Sequence, residues 1–468
     1  MGGLYWGSFV VASGVWGGLQ WSGRKEGVTG SSIADEAEET GTGTGTGTGM
    51  ATGIGMGKDK GNGMAEVEVP AGFAAFQRNY LVVYLLAMFV DWLKGPYVYV
   101  LYESYGFSKG DIALLFIGGF GASMVAGTVA GALADSLGRK KMALVFAACY
   151  AVAGLTKVSA SFSVLMIGRI LSGVATSLLF SVFEAWMVCE HNARGYPPAL
   201  LSQTFSRATT GNGLVAVAAG LVAMAAASTF GYVAPFVLAL VPLAVLAGIV
   251  SRTWNENYGD ATIEVSESLR RAVGVLAAAP HLVCLGLAQA LFEGGMYTFV
   301  FMWSPALATE ETRDVLPYGV IFAVYMVCIM IGSALFNVVD ASTLPLPLLL
   351  HGAAIGSMLS VPAFFDAKPL VYLAFCGFEV ACGMFFPTYG TLRSAHIPEA
   401  TRSTMMNLFR IPLNAFVLIV LIKVKHMPVT TVFWICALAH LGALACYIVF
   451  ASRATVYARA RHAEKHGP

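Results

Sequence analysis

The sequence predicts an all-α membrane protein: twelve transmembrane helices in two six-helix halves, with an apolar N-terminal stretch open as one extra helix. Three observations carry this. Of 468 residues, 57% are hydrophobic and 12% charged, and the mean hydropathy is +0.70. An ordinary soluble protein has about 25% charged residues, so much of this surface must face lipid. Apolar runs of bilayer-crossing length recur from Tyr80 to the C-terminal region, and a charged interval divides them into two equal sets.

Residues 1–26 read as an N-terminal membrane anchor or a targeting segment. Leu4 to Trp21 is uncharged and mildly apolar; its length of about 18 residues just reaches across a bilayer. No basic region precedes it, which counts against a cleaved signal peptide. Arg24 and Lys25 follow, then the acidic run Asp35, Glu36, Glu38 and Glu39, then a Gly-Thr repeat from Gly41 to Gly49. Such a repeat cannot build a packed core, so residues 27–75 are expected to form a flexible tether.

The N-terminal half, residues 76–251, holds spans expected at 80–102, 112–134, 142–160, 163–188, 203–227 and 232–251. Residues 252–280 form a linker carrying Arg252, Glu256, Asp260, Glu264, Glu267, Arg270 and Arg271. The C-terminal half, 281–452, holds spans at 281–304, 317–339, 343–363, 369–392, 403–424 and 429–451, and 453–468 is a basic tail. Runs this long satisfy their backbone groups in lipid only as helices. With both ends of the twelve-span unit on one side, that side receives fourteen Lys and Arg and the other five. The positive-inside rule then places the ends, the linker and the tail in the cytoplasm, and the plasma membrane is the expected location.

Several function classes drop out. A net charge of +1 offers no nucleic-acid patch. The eight cysteines form no CxxC pair and no Cys/His cluster, so no metal site or cofactor is expected, and they read as small packing residues. There is no phosphate-binding loop, no HExxH and no nucleophile motif, so no catalytic residue is expected and the chain is read as not an enzyme. His191, His281, His351, His396 and His426 fall near span ends and read as interfacial.

The loop between spans 2 and 3 reads Gly131-Ala-Leu-Ala-Asp135-Ser-Leu-Gly138-Arg139-Lys140-Lys141, and span 4 contains Arg169-x-x-x-Gly173. Both resemble motifs of the major facilitator superfamily at the matching places in the topology. Asp135, Gly138 and Arg139 are therefore gating candidates: Asp135 would face a helix N-terminus and Arg139 a carboxylate, latching one state. A closer likeness lies in Phe76-Gln-Arg-Asn-Tyr80, Asp91-Trp-Leu-Lys94-Gly-Pro-Tyr97, Gly168-Arg169 to Phe183-Glu-Ala-Trp186, Trp254-Asn-Glu-Asn-Tyr258-Gly and Asn407-Leu-Phe-Arg410-Ile-Pro-Leu-Asn414. Together these resemble the molybdate-anion transporter branch of that superfamily, including its plant and algal members, over about residues 76–420. The Gly-Thr tether departs from the pattern. The resemblance implies a major facilitator fold and uptake of the molybdate oxyanion.

Ionisable side chains inside a bilayer are costly, so each is a functional candidate. They are Asp91 and Lys94 in span 1, Lys157 in span 3, Arg169 and Glu184 in span 4, Arg207 in span 5, Glu293 in span 7, Glu379 in span 10 and Arg410 in span 11. Lys157, Arg207 and Glu184 lie nearer span ends, where a structural role is the stronger expectation. Aligning the halves as repeats pairs Arg169-x-x-x-Gly173 with Glu379-x-x-x-Gly383, Lys94-Gly95 with Glu293-Gly294, and Arg207 with Arg410. Such a pairing opposes first-half cations to second-half acids across a cavity.

A tetrahedral dianion needs positive charge and hydrogen-bond donors. Arg169 and Lys94 are the first choices to bind it and Arg410 the next, with Tyr97, Asn407 and Asn414 as neutral donors. Asp91, Glu293 and Glu379 would supply counter-charge in the empty site or carry a proton, which fits proton symport. The partners implied are molybdate, protons and the lipid bilayer. A transporter of sulfate or of a sugar, or a receptor that kept the fold and lost transport, are the alternatives; a sugar site needs no excess of cations.

Overall fold

The computed structural model describes residues 2–29, 69–259, 265–338 and 346–465. Among them, twelve helices are long and apolar enough to cross a membrane. The first half contains Phe73–Ser104, Lys109–Gly131, Arg139–Val158, Phe162–Ala193, Pro198–Phe230 and Ala234–Thr253. The second contains Pro280–Leu307, Tyr318–Val338, Leu346–Ala363, Lys368–His396, Thr404–His426 and Val429–Ala454. All twelve expected spans are present. Several helices outrun their apolar segments because backbone hydrogen bonding continues through polar residues in the interfacial zone, where hydropathy no longer reports it.

Two helix breaks shape the interior. Span 1 is α-helical from Phe73 to Lys94, passes through a one-turn 3-10 helix at Gly95–Tyr97, and resumes at Val98–Ser104. Pro96 sets this break, because it has no N–H to give the preceding turn. Span 4 is interrupted between Phe162–Leu179 and Val182–Ala193.

Each half is a closed bundle. In the first, span 4 packs on spans 2 and 3, and span 1 on span 5; in the second, span 10 packs on spans 8 and 9, and span 7 on spans 11 and 12. The halves meet along two seams, span 5 against span 8 and span 2 against span 11. Spans 2 and 8 hold equivalent places in the repeat, as do 5 and 11, so the two seams are related by the internal symmetry.

The end of the bundle where span 1 begins also carries the Asp135–Lys141 loop and forms a basic face. Polar ties join the halves at the opposite face. Arg313 pairs with Glu103 at 3.2 Å, Lys109 Nζ donates to the Met427 carbonyl at 2.6 Å, and the Tyr232 hydroxyl donates to Asp314 at 3.4 Å. Tyr97 adds ring contacts to Tyr232 and Tyr318. The bundle is therefore sealed toward the opposite face.

The flanking segments differ from expectation. The N-terminal stretch is one helix, Gly2–Thr29, which runs past residue 26 and lies along span 8. Tyr5 is 1% exposed, its ring edge-on to Tyr372 with centroids 4.8 Å apart, and Ser8 Oγ lies 2.6 Å from the Tyr372 hydroxyl. Tyr372 sits near the opposite-face end of span 10, so the chain starts on that side. Span 1 already begins at Phe73, inside the range given to the tether, and the Gly-Thr repeat lies outside the described residues. The linker is more than a polar connection. Trp254–Gly259 packs on the first half, and a helix, Val265–Ala278, packs against span 11. The last helix, Val429–Lys465, carries the basic tail onward as helix.

Candidate functional site

The interior site starts from a close approach of spans 2 and 4. A Cβ placed on Gly173 would stand 2.3 Å from the Gly119 carbonyl, so only glycine lets these two backbones meet. One turn before Gly173, Arg169 crosses to span 2. Its Nε donates to the Leu115 carbonyl at 3.2 Å, and its guanidinium lies 4.4 Å from the Phe116 ring centre. Much of this guanidinium remains without a carboxylate: among the described residues, no acid lies within ion-pair distance of Arg169.

Span 1 supplies the neighbouring charges just before its break. Lys94 Nζ is 3.5 Å from Asp91 Oδ1 and 3.1 Å from the Tyr150 ring centre. The Tyr150 hydroxyl donates to Asp91 Oδ1 at 2.5 Å and lies 2.8 Å from Thr176 Oγ1. Asp91 is thus the counter-charge of Lys94 on its own helix, held by spans 3 and 4. Lys94 and Arg169 lie within electrostatic range of each other.

The second half contributes a separate group. Gln289 Nε2 donates to Glu293 Oε1 at 2.9 Å, and Arg393 Nη1 donates to Gln289 Oε1 at 3.0 Å. Arg410 lies within electrostatic range of Glu293 and reaches toward span 2, where a Cβ on Gly127 would stand 3.9 Å from its Nη1. Tyr297 stands between the groups: it is in electrostatic range of Glu293, Arg410 and Asp91, and its ring meets Phe120 of span 2 at 5.5 Å.

The remaining candidates do not converge here. Glu379 does not face Arg169. It is 6% exposed, lies beside Cys376, Tyr325 and Cys328, and has no cation within ion-pair distance among the described residues. The pairing expected across the cavity fails because each residue reaches the neighbour within its own half, Arg169 to span 2 and Glu379 to span 8. Tyr97 is buried in the aromatic seam that seals the opposite face. Asn414 lines an apolar crevice with Phe120, Gly121, Met124, Val417 and Leu418. Asn407 is half-buried one turn before Arg410. Arg207 is exposed and donates to Gln77 of span 1 at 2.5 Å.

Several residues of the site escape a reading of the sequence. Tyr150 and Thr176 are ordinary span residues by pattern; their hydroxyls meet Asp91 only once three spans are packed. Lys157 lies near a span end, yet it is 4% exposed, and its Nζ donates to the Tyr102 hydroxyl at 2.7 Å. Two of the histidines expected at the interface are fully buried. His351 bonds the Tyr389 hydroxyl at 2.8 Å, and His191 bonds the Pro197 carbonyl at 3.1 Å.

At the basic face the gating loop is tied down from an unexpected direction. Arg139 Nη2 lies 2.7 Å from Asp135 Oδ1, so the carboxylate that Arg139 faces is Asp135 itself. The carboxylate on the helix N-terminus is Glu256, which accepts from the backbone N–H of Lys140 at 2.8 Å and Lys141 at 3.3 Å. Gly138 has φ of +102°, and a Cβ there would stand 2.5 Å from the Glu256 carboxylate. The backbone angle and the lack of space both demand glycine. Arg139 N–H donates to the Asn257 carbonyl and Gly259 N–H to the Asp135 carbonyl. Trp254 stacks on Trp186 at 3.8 Å with planes 7° apart and donates to Asn79. The segments Phe76–Tyr80, Phe183–Trp186 and Trp254–Gly259 therefore meet in one cluster.

Comparison with known proteins gives this geometry a family. Residues 45–366 match a family model described as sugar transporters with twelve transmembrane segments. A molybdate-anion transporter of Xenopus tropicalis is 37% identical over 401 residues, covering 80% of this chain and 86% of that protein. One of Takifugu rubripes is 34% identical over 382 residues, covering 74% and 78%. Among solved structures, the nucleoside transporter NupG aligns over 80% of this chain and 99% of its own, with a TM-score of 0.62 and 14% identity. The inward-open xylose transporter XylE from E. coli aligns over 81% and 95%, with a TM-score of 0.61 and 11% identity. The solved structures share the fold, the curated relatives share the sequence, and the chain belongs to the molybdate-anion transporter family of the major facilitator superfamily.

Proposed function

We propose that this protein is a secondary transporter that brings molybdate into the cell by alternating access. The observation that carries the reading is the charge inside the first half: Arg169 and Lys94 share an interior with a single carboxylate, Asp91. A dianion supplies the missing negative charge, and the planar donors of Arg169 suit an oxyanion. A sugar would gain nothing from such an excess, which disfavours the sugar alternative.

The names of the curated relatives support the same substrate. In this reading the basic face is cytoplasmic and the membrane is the plasma membrane, in line with the distribution of Lys and Arg. The anion enters when the Arg313–Glu103 and Tyr232–Asp314 ties open, and meets Arg169 and Lys94 just inside. Arg410 and Glu293 form the second-half wall. Glu293 and Glu379 are the candidates for proton coupling, and the Asp135–Arg139 loop with Glu256 is the cytoplasmic latch.

The test is uptake of labelled molybdate by cells lacking the gene and supplied with this chain, with sulfate as competitor. Restored uptake that excess sulfate only weakly inhibits supports the reading. Absence of uptake from protein correctly inserted in the membrane rejects it.

A further inference from the structure

We propose that Lys157 is a third cation of the molybdate site, and that with Lys94 and Arg169 it sets a preference for doubly over singly charged tetrahedral anions. The inference rests on the function proposed above and names the residue that fixes the charge of the substrate.

Lys157 sits in the one-turn 3-10 helix Thr156–Val158 that ends span 3. A lysine at a span end has an open route to the interface, and its flexible stem normally takes it. Lys109 and Lys368, also at opposite-face span ends, are both partly exposed and donate to backbone carbonyls of neighbouring helices. Lys157 instead turns inward. The Tyr105 hydroxyl donates to its carbonyl, and its Nζ donates to the Tyr102 hydroxyl at 2.7 Å, so the residue is held at both ends.

Its electrical surroundings are all of one sign. The charged groups in range of Lys157 are Arg169 and Lys94. No carboxylate lies within ion-pair distance of it among the described residues. The one nearby acid, Asp91, already meets Lys94 and Tyr150. Three cationic side chains against one carboxylate leave a formal excess of two positive charges in a buried place. An uncompensated ammonium in such a place is costly, and a dianion cancels the excess in full. Tyr102 completes the set. Its oxygen accepts from Lys157 and is approached by Arg169, which leaves its own proton to donate to a bound oxyanion.

The experiment measures transport of labelled molybdate by the full-length protein in proteoliposomes, with perrhenate (one negative charge) and sulfate (two) as competitors. Lys157→Met keeps the length of the side chain and removes the charge. It should raise KM for molybdate at least about tenfold while perrhenate competes as well as before or better, so the dianion-to-monoanion preference falls by about the same factor. Lys157→Arg should keep the preference. Lys157→Gln serves the same purpose if the methionine variant fails to fold. An unchanged preference in the neutral variants, or an equal loss for both kinds of anion, would overturn the inference and leave Lys157 a packing residue. Failure of the wild type to carry molybdate would instead reject the function itself.

Discussion

The two halves use one packing device and put opposite charges on it. In the first half, Gly173 lets span 4 meet span 2 at Gly119; in the second, Gly383 lets span 10 meet span 8, where a Cβ would stand 2.0 Å from the Ile329 carbonyl. Each glycine is preceded by a charged residue four positions earlier. Arg169 stays half-buried, bonded to a backbone carbonyl and sharing its space with Lys94 and Asp91. Glu379 is buried among a tyrosine and cysteines with no cation within ion-pair distance among the described residues. Equivalent position in a repeat therefore fixes which helix a side chain meets. It does not make the two side chains partners. The first half carries the charge that suits an anion, and the second carries a carboxyl with a role of its own.

The largest effect is expected at Arg169. Arg169→Ala should cut molybdate uptake by about two orders of magnitude or more, since a buried charge contact to the anion is lost. Adding Glu379→Ala should not restore it. Recovery of uptake in the double variant, at matched amounts of folded protein, would make the two residues a structural pair after all.

The glycines separate the halves at smaller scale. Gly173→Ala and Gly383→Ala should each lower stability by about 1–3 kcal/mol, because each methyl meets backbone that cannot step aside. Thermal unfolding of purified protein checks this. Only Gly173→Ala should also weaken molybdate binding, because only there does the displaced helix carry Arg169. Equal loss of affinity in both variants would contradict the division of labour.

At the latch, Asp135→Asn and Glu256→Gln should each slow uptake several-fold while leaving insertion intact, since Lys140 and Lys141 still hold the loop on its side. Normal rates in both variants would remove the gating role. The smallest effect belongs to the N-terminal helix. Removing residues 2–29 should lower Tm by only a few degrees, through exposure of Tyr372 and neighbouring parts of span 8, and should leave KM for molybdate unchanged. Loss of the folded bundle on deletion would show that the helix is part of the core.

The features legible in the sequence are those local to one stretch of chain. Twelve apolar runs, the charged interval between halves and the Asp135–Lys141 loop can all be read because each lies within one short segment. The gate's second carboxylate cannot: Glu256 stands 116 residues from Lys140, and only folding brings it to the helix N-terminus. Lys157 is hidden for a related reason. Its place near a span end predicts a route to the interface, and the two tyrosines that turn it inward come from another span. Tyr97 attracts notice for its hydroxyl, whereas its ring is used to seal the opposite face. Burial of His351 and His191 likewise depends on partners that hydropathy does not reveal.

If the first half's cations hold the anion, and no charge pair between halves does, equilibrium binding of labelled molybdate to purified protein will separate wild type, Arg169→Ala and Glu379→Gln. Arg169→Ala should lose binding, while Glu379→Gln should keep an affinity near that of the wild type. Retained binding in Arg169→Ala, or loss of binding in Glu379→Gln with the protein folded, would contradict this division between the halves.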